Sequence, residues 1–340
     1  MWKRWPNSAP PLKGYLRRRK MRFSPPVACS TTAWLTRAIL ERFWASRWKP
    51  FGSGNTERST RTPLASVGCK GIIMQAPDTS VVLLEEDKDW ATVWLNRPEA
   101  RNAMSDELMS ELQAVFDYLK ARDDIRGITV RGKGEAFCAG GDLKGFKNNF
   151  QAVRSDEEVV QDSSKMGNFF LTVRSMPQVI IFVLHGAAMA GGLGMASAAD
   201  IVIAVKDTKM ALTETAIGIV PAQIGRYIVA RTGDVKARRI MLTGHRFSAL
   251  EGADYGLVDF AVDDMAAAES QLAELVAGVR RCAPRANAAT KELLEANKHL
   301  DDVAMIRYAG ETFAQSVKSD EGKEGVASFL EKRKPNWVRE

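Results

Sequence analysis

Two short stretches of the chain group small residues and glycines where backbone could meet a ligand. The first is Ala136-Phe137-Cys138-Ala139-Gly140-Gly141-Asp142-Leu143, and the second is Gly186-Ala187-Ala188-Met189-Ala190-Gly191-Gly192-Leu193-Gly194. Each follows a run expected to be a strand. Without a Cβ, glycine lets backbone N–H groups come close to a bound group and point outward. Two such N–H groups from separate turns are the donors a carbonyl oxygen needs as negative charge develops on it. Taken singly, either stretch is explained more simply by a tight turn with close helix–strand packing. Neither is a phosphate loop, because both Gly-x-Gly-x-x-Gly and the Lys-Ser/Thr ending are missing.

Other chemistries find less support. Cys29, Cys69, Cys138 and Cys282 are widely spaced with no CxxC pair, which reads as reduced, mostly structural thiols. His185, His245 and His299 lie far apart, so no cluster has metal-ligand spacing and no metal is expected. No run of 18 apolar residues occurs, so no membrane span is expected.

The glycine stretches need elements to hold them. Val81–Glu85 and Ala91–Leu95 read as a hairpin split by Glu86-Asp87-Lys88-Asp89. Ser105, followed by Asp106 and Glu107, marks a helix start. Leu108, Leu112, Val115, Phe116 and Leu119 then give that helix one apolar face. A strand is expected at Gly127–Arg131, a helix over much of Asp156–Arg174, and strands at Val179–Leu184 and Ile201–Val205. The wholly apolar Val179–Leu184 run implies burial on both sheet faces. Beyond Pro221 the chain reads as mostly helical, with a Ser248/Glu251 capping box and a long amphipathic helix over Met265–Arg281. Strands alternating with helices, then a helical tail, indicate an α/β fold with parallel pairing.

Charge divides the chain. Residues 1–73 hold fifteen Lys or Arg and two acids, a net +13, which leaves −6 for the rest of a chain whose total is +7. Five of the eight tryptophans also lie in that first stretch, without hydrophobic periodicity. Three readings stand for it: translation that starts at Met74, an organelle transit peptide, or a basic arm that pairs with nucleic-acid phosphates. The first is preferred, since ordered patterning begins just after Met74. The expected organisation is a basic leader over 1–73, a core over 74–270 and a helical C-terminal subdomain over 271–340.

Taken together, the two glycine stretches resemble the enoyl-CoA hydratase/isomerase (crotonase) superfamily. The likeness includes Leu95-Asn96-Arg97-Pro98-Glu99-Ala100-Arg101-Asn102-Ala103-Met104, then Phe137–Leu143 and Met189–Asp200. It continues through Leu212-Thr213-Glu214-Thr215-Ala216-Ile217-Gly218-Ile219-Val220-Pro221 and closes with Glu324–Arg333. It implies a spiral of ββα turns with a helical C-terminal trimerisation subdomain, assembled as a homotrimer or hexamer.

The same resemblance implies an oxyanion hole from the backbone N–H groups of Gly141 and Gly191. It implies coenzyme A and acyl contacts from Arg101, Ala103, Ala139, Asp142, Leu143, Gly194 and Pro221. Phe329 and Lys332 would reach coenzyme A from a neighbouring subunit. Of the two glutamates that the family's hydratases carry, the proton-exchanging one falls on Glu214. The water-activating one falls on Gly194, which is expected to leave space beside the substrate's β-carbon.

Gly194, the Pro221-Ala222-Gln223-Ile224 run and Cys282–Lys291 resemble the subgroup of isohexenylglutaconyl-CoA hydratases of acyclic terpene degradation. Lys144, Lys147 or Arg226 would then meet a second substrate carboxylate. The expected activity is hydration of a branched enoyl-CoA thioester, with coenzyme A part of the substrate and no separate cofactor. The alternatives are a single-glutamate Δ3,Δ2-enoyl-CoA isomerase, or a weakly catalytic domain with a nucleic-acid-binding arm. Nucleic acid is not the expected partner. The expected location is the cytoplasm, or the mitochondrial matrix if residues 1–73 are a transit peptide.

Overall fold

The computed structural model describes residues 75–142 and 154–338. Residues 71–340 form one compact unit. Readings that fall on residues 1–74, on Leu143, or on Lys144 and Lys147 lie outside the described residues.

The chain opens with the expected hairpin, β1 (Val82–Asp87) antiparallel to β2 (Trp90–Leu95). Helix α1 (Asp106–Lys120) begins where Ser105 Oγ accepts the Leu108 N–H at 3.2 Å, satisfying a donor that has no partner within the helix. There follow β3 (Gly127–Gly132), α2 (Asp156–Ser175), β4 (Val179–Leu184), β5 (Ala187–Met189), α3 (Gly191–Ser197), β6 (Ile201–Val205) and β7 (Lys209–Ala211). A 3₁₀ turn over Thr215–Ile217 leads to α4 (Gly225–Thr243), which is kinked at Gly233. The chain continues through β8 (Arg246–Ser248), α5 (Ala249–Tyr255) and β9 (Phe260–Val262). It closes with α6 (Met265–Arg281), α7 (Pro284–Ala296), α8 (Asp302–Lys318) and α9 (Asp320–Leu330).

Six strands form one sheet in the order β1-β2-β3-β4-β6-β9, parallel except for the hairpin, and β5-β7-β8 form a second. Two successive turns of the chain each place one strand in each sheet and then a helix: β4–β5–α3, then β6–β7–α4. That is a spiral of ββα units. The apolar β4 run is buried on both faces, as expected. Ile180, Phe182 and Leu184 join the main core, while Val179, Ile181 and Val183 pack with Leu272, Leu275 and Val276 of α6. Period-two alternation does this, since neighbouring side chains point to opposite faces. Among the described residues no helix is long and apolar enough to cross a membrane.

The region after Pro221 is mostly helical, as expected, with two short strands, β8 and β9, between its helices. Each has three residues, too few to show alternation against the helices around it. The division at 270/271 falls inside the continuous helix α6, so the helical region begins at Met265.

Candidate active site

The site is built on three chain segments hydrogen-bonded side by side. In the first, a 3₁₀ turn over Pro98–Ala100 leads into Arg101 and Asn102, with left-handed φ of 50° and 54°. Asn102 is fully buried. Its Oδ1 accepts the Arg97 N–H at 2.8 Å, and its Nδ2 donates to the Lys133 and Ala136 carbonyls, each at 2.8 Å. Asparagine tolerates the left-handed conformation, and here one side chain pins two loops together.

The first glycine turn is then held from both sides. Ala139 N donates to Arg101 O at 2.9 Å, Met104 N to Gly140 O at 2.8 Å, and Asp142 N to Met104 O at 3.2 Å. The Arg97 guanidinium bonds Asp142 at 3.3 Å and Ala103 O at 2.7 Å. On the far side, Phe137 N donates to His185 O at 2.9 Å and Cys138 N to Ala187 O at 3.0 Å, while Met189 N donates to Cys138 O at 3.0 Å. The turns approach so closely that a Cβ on Gly140, whose φ is +93°, would stand 3.2 Å from Ala190 Cβ.

The second turn carries strain. Ala190 sits at φ 47° and ψ −120°, unfavourable for a residue with a Cβ. Two bonds hold it there: its N–H donates to Ala211 O at 2.8 Å, and its carbonyl accepts from Gly194 N at 2.9 Å. Gly191 follows as the first residue of α3. Neither the Gly141 nor the Gly191 N–H donates to an acceptor among the described residues. Both glycines are half-buried. Buried backbone donors are almost always paired, so two free ones in adjoining turns are an anion-ready arrangement.

Strand β7 runs parallel to β5 with Ala211 beside Met189, and three residues later the chain reaches Glu214. The Glu214 carbonyl accepts from Ile217 N and Ile219 N, each at 3.1 Å, closing the turn. Its carboxylate is different: Oε2 is buried with no hydrogen-bond partner among the described residues. Burial pushes the carboxyl above the usual glutamate range, against the opposing pull of its own backbone N–H. A carboxylate so placed suits proton exchange near neutral pH.

Residues 85–340 match the enoyl-CoA hydratase/isomerase family. The chain belongs to that family. A probable enoyl-CoA hydratase of Bacillus subtilis is 31% identical over 77% of this chain and 100% of its own. The human enoyl-CoA hydratase domain-containing protein 2, mitochondrial, is 30% identical over 74% of this chain and 86% of its own. Among solved structures, Pseudomonas aeruginosa AtuE superposes with a TM-score of 0.74 at 38% identity, covering 76% of this chain and 100% of its own. The fold is thus the crotonase-type spiral with a helical C-terminal region, and the protein is an enzyme of the family.

The bonds above bring Arg101, Ala103, Ala139 and Asp142 together, and they hold Gly140 and Ala190, the residues before Gly141 and Gly191, in adjoining turns. Glu214 lies three residues beyond β7, the strand that pairs with β5 ahead of the second turn. Pro221 is half-buried, and its carbonyl accepts from Gly225 N at 3.0 Å at the start of α4. Phe329 is 82% exposed at the end of α9, and Lys332 follows with a left-handed φ of 56°. Among the described residues no hydrogen bond links either to the glycine turns. Arg226 lies over the Tyr227 ring, with its guanidinium 4.0 Å from Glu295 on α7.

Gly194 needs correction. The expected space beside it is filled: a Cβ there would stand 2.1 Å from Ile224 Cγ2 and 2.5 Å from Ile224 Cβ. Gly194 is buried beneath that side chain. Its role in the fold is to accept Ile224, so its want of a side chain leaves no room for a substrate. Sequence reasoning also passed over Asn102 and Arg97. A polar residue in a left-handed position after Asn-Arg-Pro was the available signal for Asn102.

Proposed function

We propose that the enzyme adds water across the α,β double bond of an enoyl-CoA thioester, using Glu214 as its one catalytic carboxylate. The observation that carries this is the buried Oε2 of Glu214, without a hydrogen-bond partner among the described residues, on the segment that follows the strand paired with β5, while the Gly141 and Gly191 N–H groups have no acceptor among those residues. Those N–H groups hold the thioester oxygen as it takes on negative charge. Water adds through its oxygen to Cβ while Glu214 takes one of its protons, giving the bound enolate. Glu214 then returns that proton to Cα, and the sum is one added water. Arg101, Ala103, Ala139, Asp142, Leu143 and Pro221 border coenzyme A or the acyl chain in this reading. Phe329 and Lys332 serve a neighbouring subunit's ligand. Coenzyme A arrives with the substrate, and no further cofactor is invoked.

A branched substrate of the isohexenylglutaconyl-CoA kind is supported by the sequence resemblance alone, since the room once expected at Gly194 is taken by Ile224. A trimer or hexamer is supported by exposed apolar side chains on α8 and α9, among them Ile306 at 75%, Phe313 at 70% and Leu330 at 73%. We place the enzyme in the cytoplasm, with the mitochondrial matrix as the alternative if residues 1–73 are a transit peptide; the human relative's name carries the word mitochondrial.

One observation favours a second reading, Δ3,Δ2-isomerisation. With Ile224 over Gly194, no second carboxylate can stand at that position. A single base suffices to remove a proton from C2 and return it to C4. Incubating the protein with a panel of 2-enoyl- and 3-enoyl-CoA thioesters separates the two by mass. A gain of one water shows hydration, and unchanged mass with a moved double bond shows isomerisation. A folded protein that does neither overturns the proposal.

A further inference from the structure

A cavity of about 250 Å³ opens between the ends of α2, α4 and α7, lined by Arg174, Arg226, Tyr227, Arg231, Glu295 and Lys298. Its cations outnumber its acids. Arg174 Nε and Lys298 Nζ both donate to Glu295 Oε2, at 3.3 and 2.7 Å, and Arg226 stands 4.0 Å from Oε1 of the same carboxylate. Arg231 is matched by Asp259 at 3.1 Å and donates to the carbonyls of Ser197, Ala199 and Asp200. Lys291, whose charge and that of Arg174 repel, is matched by Asp200 at 2.6 Å. Five cations thus meet three carboxylates, an excess of two positive charges within residues 74–340, whose net charge is −6. His299 Nε2, 3.5 Å from Glu295 Oε1, adds a third when protonated.

Donors are also left over on this lining. Neither the terminal nitrogens of Arg174 nor the Tyr227 hydroxyl makes a hydrogen bond among the described residues. Tyr227 is 5% exposed, and a hydroxyl so withdrawn that bonds nothing is uncommon. Burial raises its pKa, with Arg226 and Arg174 opposing and Glu295 reinforcing, so it is a proton donor at neutral pH. The cavity stands apart from the glycine turns. Arg174 and Asp200 precede the parallel strands β4 and β6, whereas the turn with Gly191 follows β4. Helix α3 runs from one place to the other: Gly191 is its first residue and Ser197, on the cavity wall, its last, about 9 Å along the axis. Among the described residues no hydrogen bond joins the lining side chains to Gly141, Gly191 or Glu214.

We propose that this cavity binds a dianionic phosphate group, at a site separate from the one that holds the enoyl-CoA thioester. Arg174 and Arg226 offer guanidinium forks, whose N–H pairs match two phosphate oxygens, and Lys298 adds a point charge. The Tyr227 hydroxyl donates to a further oxygen. Glu295 gathers the three cations and offsets one of their charges, which leaves the excess of two that a phosphate dianion matches. A lone carboxylate brings one charge and two oxygens, too few for these donors. Free phosphate and a small organic phosphate both present this group, and the experiment separates them.

The experiment titrates the full chain calorimetrically with inorganic phosphate and with phenyl phosphate, at constant ionic strength set by sodium chloride. Saturable binding is expected, tighter for phenyl phosphate where the natural ligand is an organic phosphate and tighter for inorganic phosphate where it is the free ion. Arg226→Gln and Lys298→Gln should each weaken it by about tenfold, as the loss of one charge-assisted hydrogen bond does. Tyr227→Phe keeps the ring's packing and should weaken it severalfold. Arg307→Gln, which removes an exposed cation on α8, should leave it unchanged. Wild type that shows no saturable binding overturns the proposal, and so does binding that Arg226→Gln and Lys298→Gln leave as it was. Coenzyme A at saturation should not displace the bound phosphate. Displacement would give the site to coenzyme A's own phosphates and overturn its separateness.

Discussion

Asp89 and Glu214 are both acids withdrawn from water, one in the turn of the first hairpin and one just beyond β7, and the chain treats them in opposite ways. Asp89 is 5% exposed, with Arg280 at 2.7 Å on Oδ1 and Arg126 at 3.7 Å on Oδ2. Arg126 also donates to the carbonyls of Cys282 and Trp337, so this knot ties the end of α6 and the C-terminal segment to the first hairpin. Glu214 Oε2 is buried with no hydrogen-bond partner among the described residues. A buried charge without compensation is costly, and evolution removes such groups unless they are used. The difference separates a carboxylate that holds the fold from one held for a substrate.

Breaking the first member should give the largest effect. Asp89→Ala removes the buried carboxylate that Arg280 and Arg126 both meet, which costs about 3 kcal/mol of stability. For a domain of this size that lowers Tm by roughly 6–12 °C, read by calorimetry or circular dichroism. Turnover per folded molecule should be kept. An unchanged Tm with lost turnover would move Asp89 into the site and erase the contrast. Breaking the second should do the reverse. Glu214→Gln is expected to lower kcat at least ~10²-fold, about 2.7 kcal/mol of barrier, with Tm equal to or above the parent's. Near-normal turnover in that variant would remove Glu214 from the mechanism.

The contrast was only half legible in the sequence. Local signals read well: the Ser105 helix start, the Ser248/Glu251 capping box and the wholly apolar β4 depend on residues a few positions apart. The glycine turns and Glu214 were legible because motifs in chain order resemble a family. What was hidden depends on tertiary neighbours. Gly194 reads as an empty place until Ile224, thirty residues on, is seen filling it. Asp89 reads as a solvated loop acid until Arg280, nearly two hundred residues away, is found on it. Patterning along the chain shows which residues want burial and leaves open which partners meet there.

A smaller effect sharpens the assignment of Glu214. Its carboxyl is raised by burial, and a base must be ionised to act. The acid limb of kcat/KM against pH should therefore lie above the ordinary glutamate value of about 4.3, not at it. The residual activity of Glu214→Gln should lack that limb. A wild-type limb at or below about 4.3 would mean that Glu214 is better solvated or better partnered than its position indicates.

The smallest effect tests whether a partnered acid elsewhere behaves as Asp89 does. Asp200 Oδ2 accepts the Ile180 N–H at 2.8 Å and the Lys291 ammonium at 2.6 Å, tying α7 to the sheet. Burial lowers the Lys291 pKa, and the charge and hydrogen bond of Asp200 oppose that shift. Asp200→Asn keeps an acceptor for Ile180 but removes the charge, a loss of about 1.5 kcal/mol at neutral pH. Desolvation of Lys291 is then unopposed, so its folded-state pKa falls further below the ordinary 10.4 of the unfolded chain. Between those two values the unfolded state binds the extra proton, and stability rises with pH. The deficit of Asp200→Asn against wild type should thus be largest near pH 7 or below and shrink as pH approaches 10, in urea titrations at each pH. A deficit that stays constant would show that Asp200 acts through geometry at Ile180 alone. Its pairing with Lys291 would then be no counterpart to the Asp89 knot.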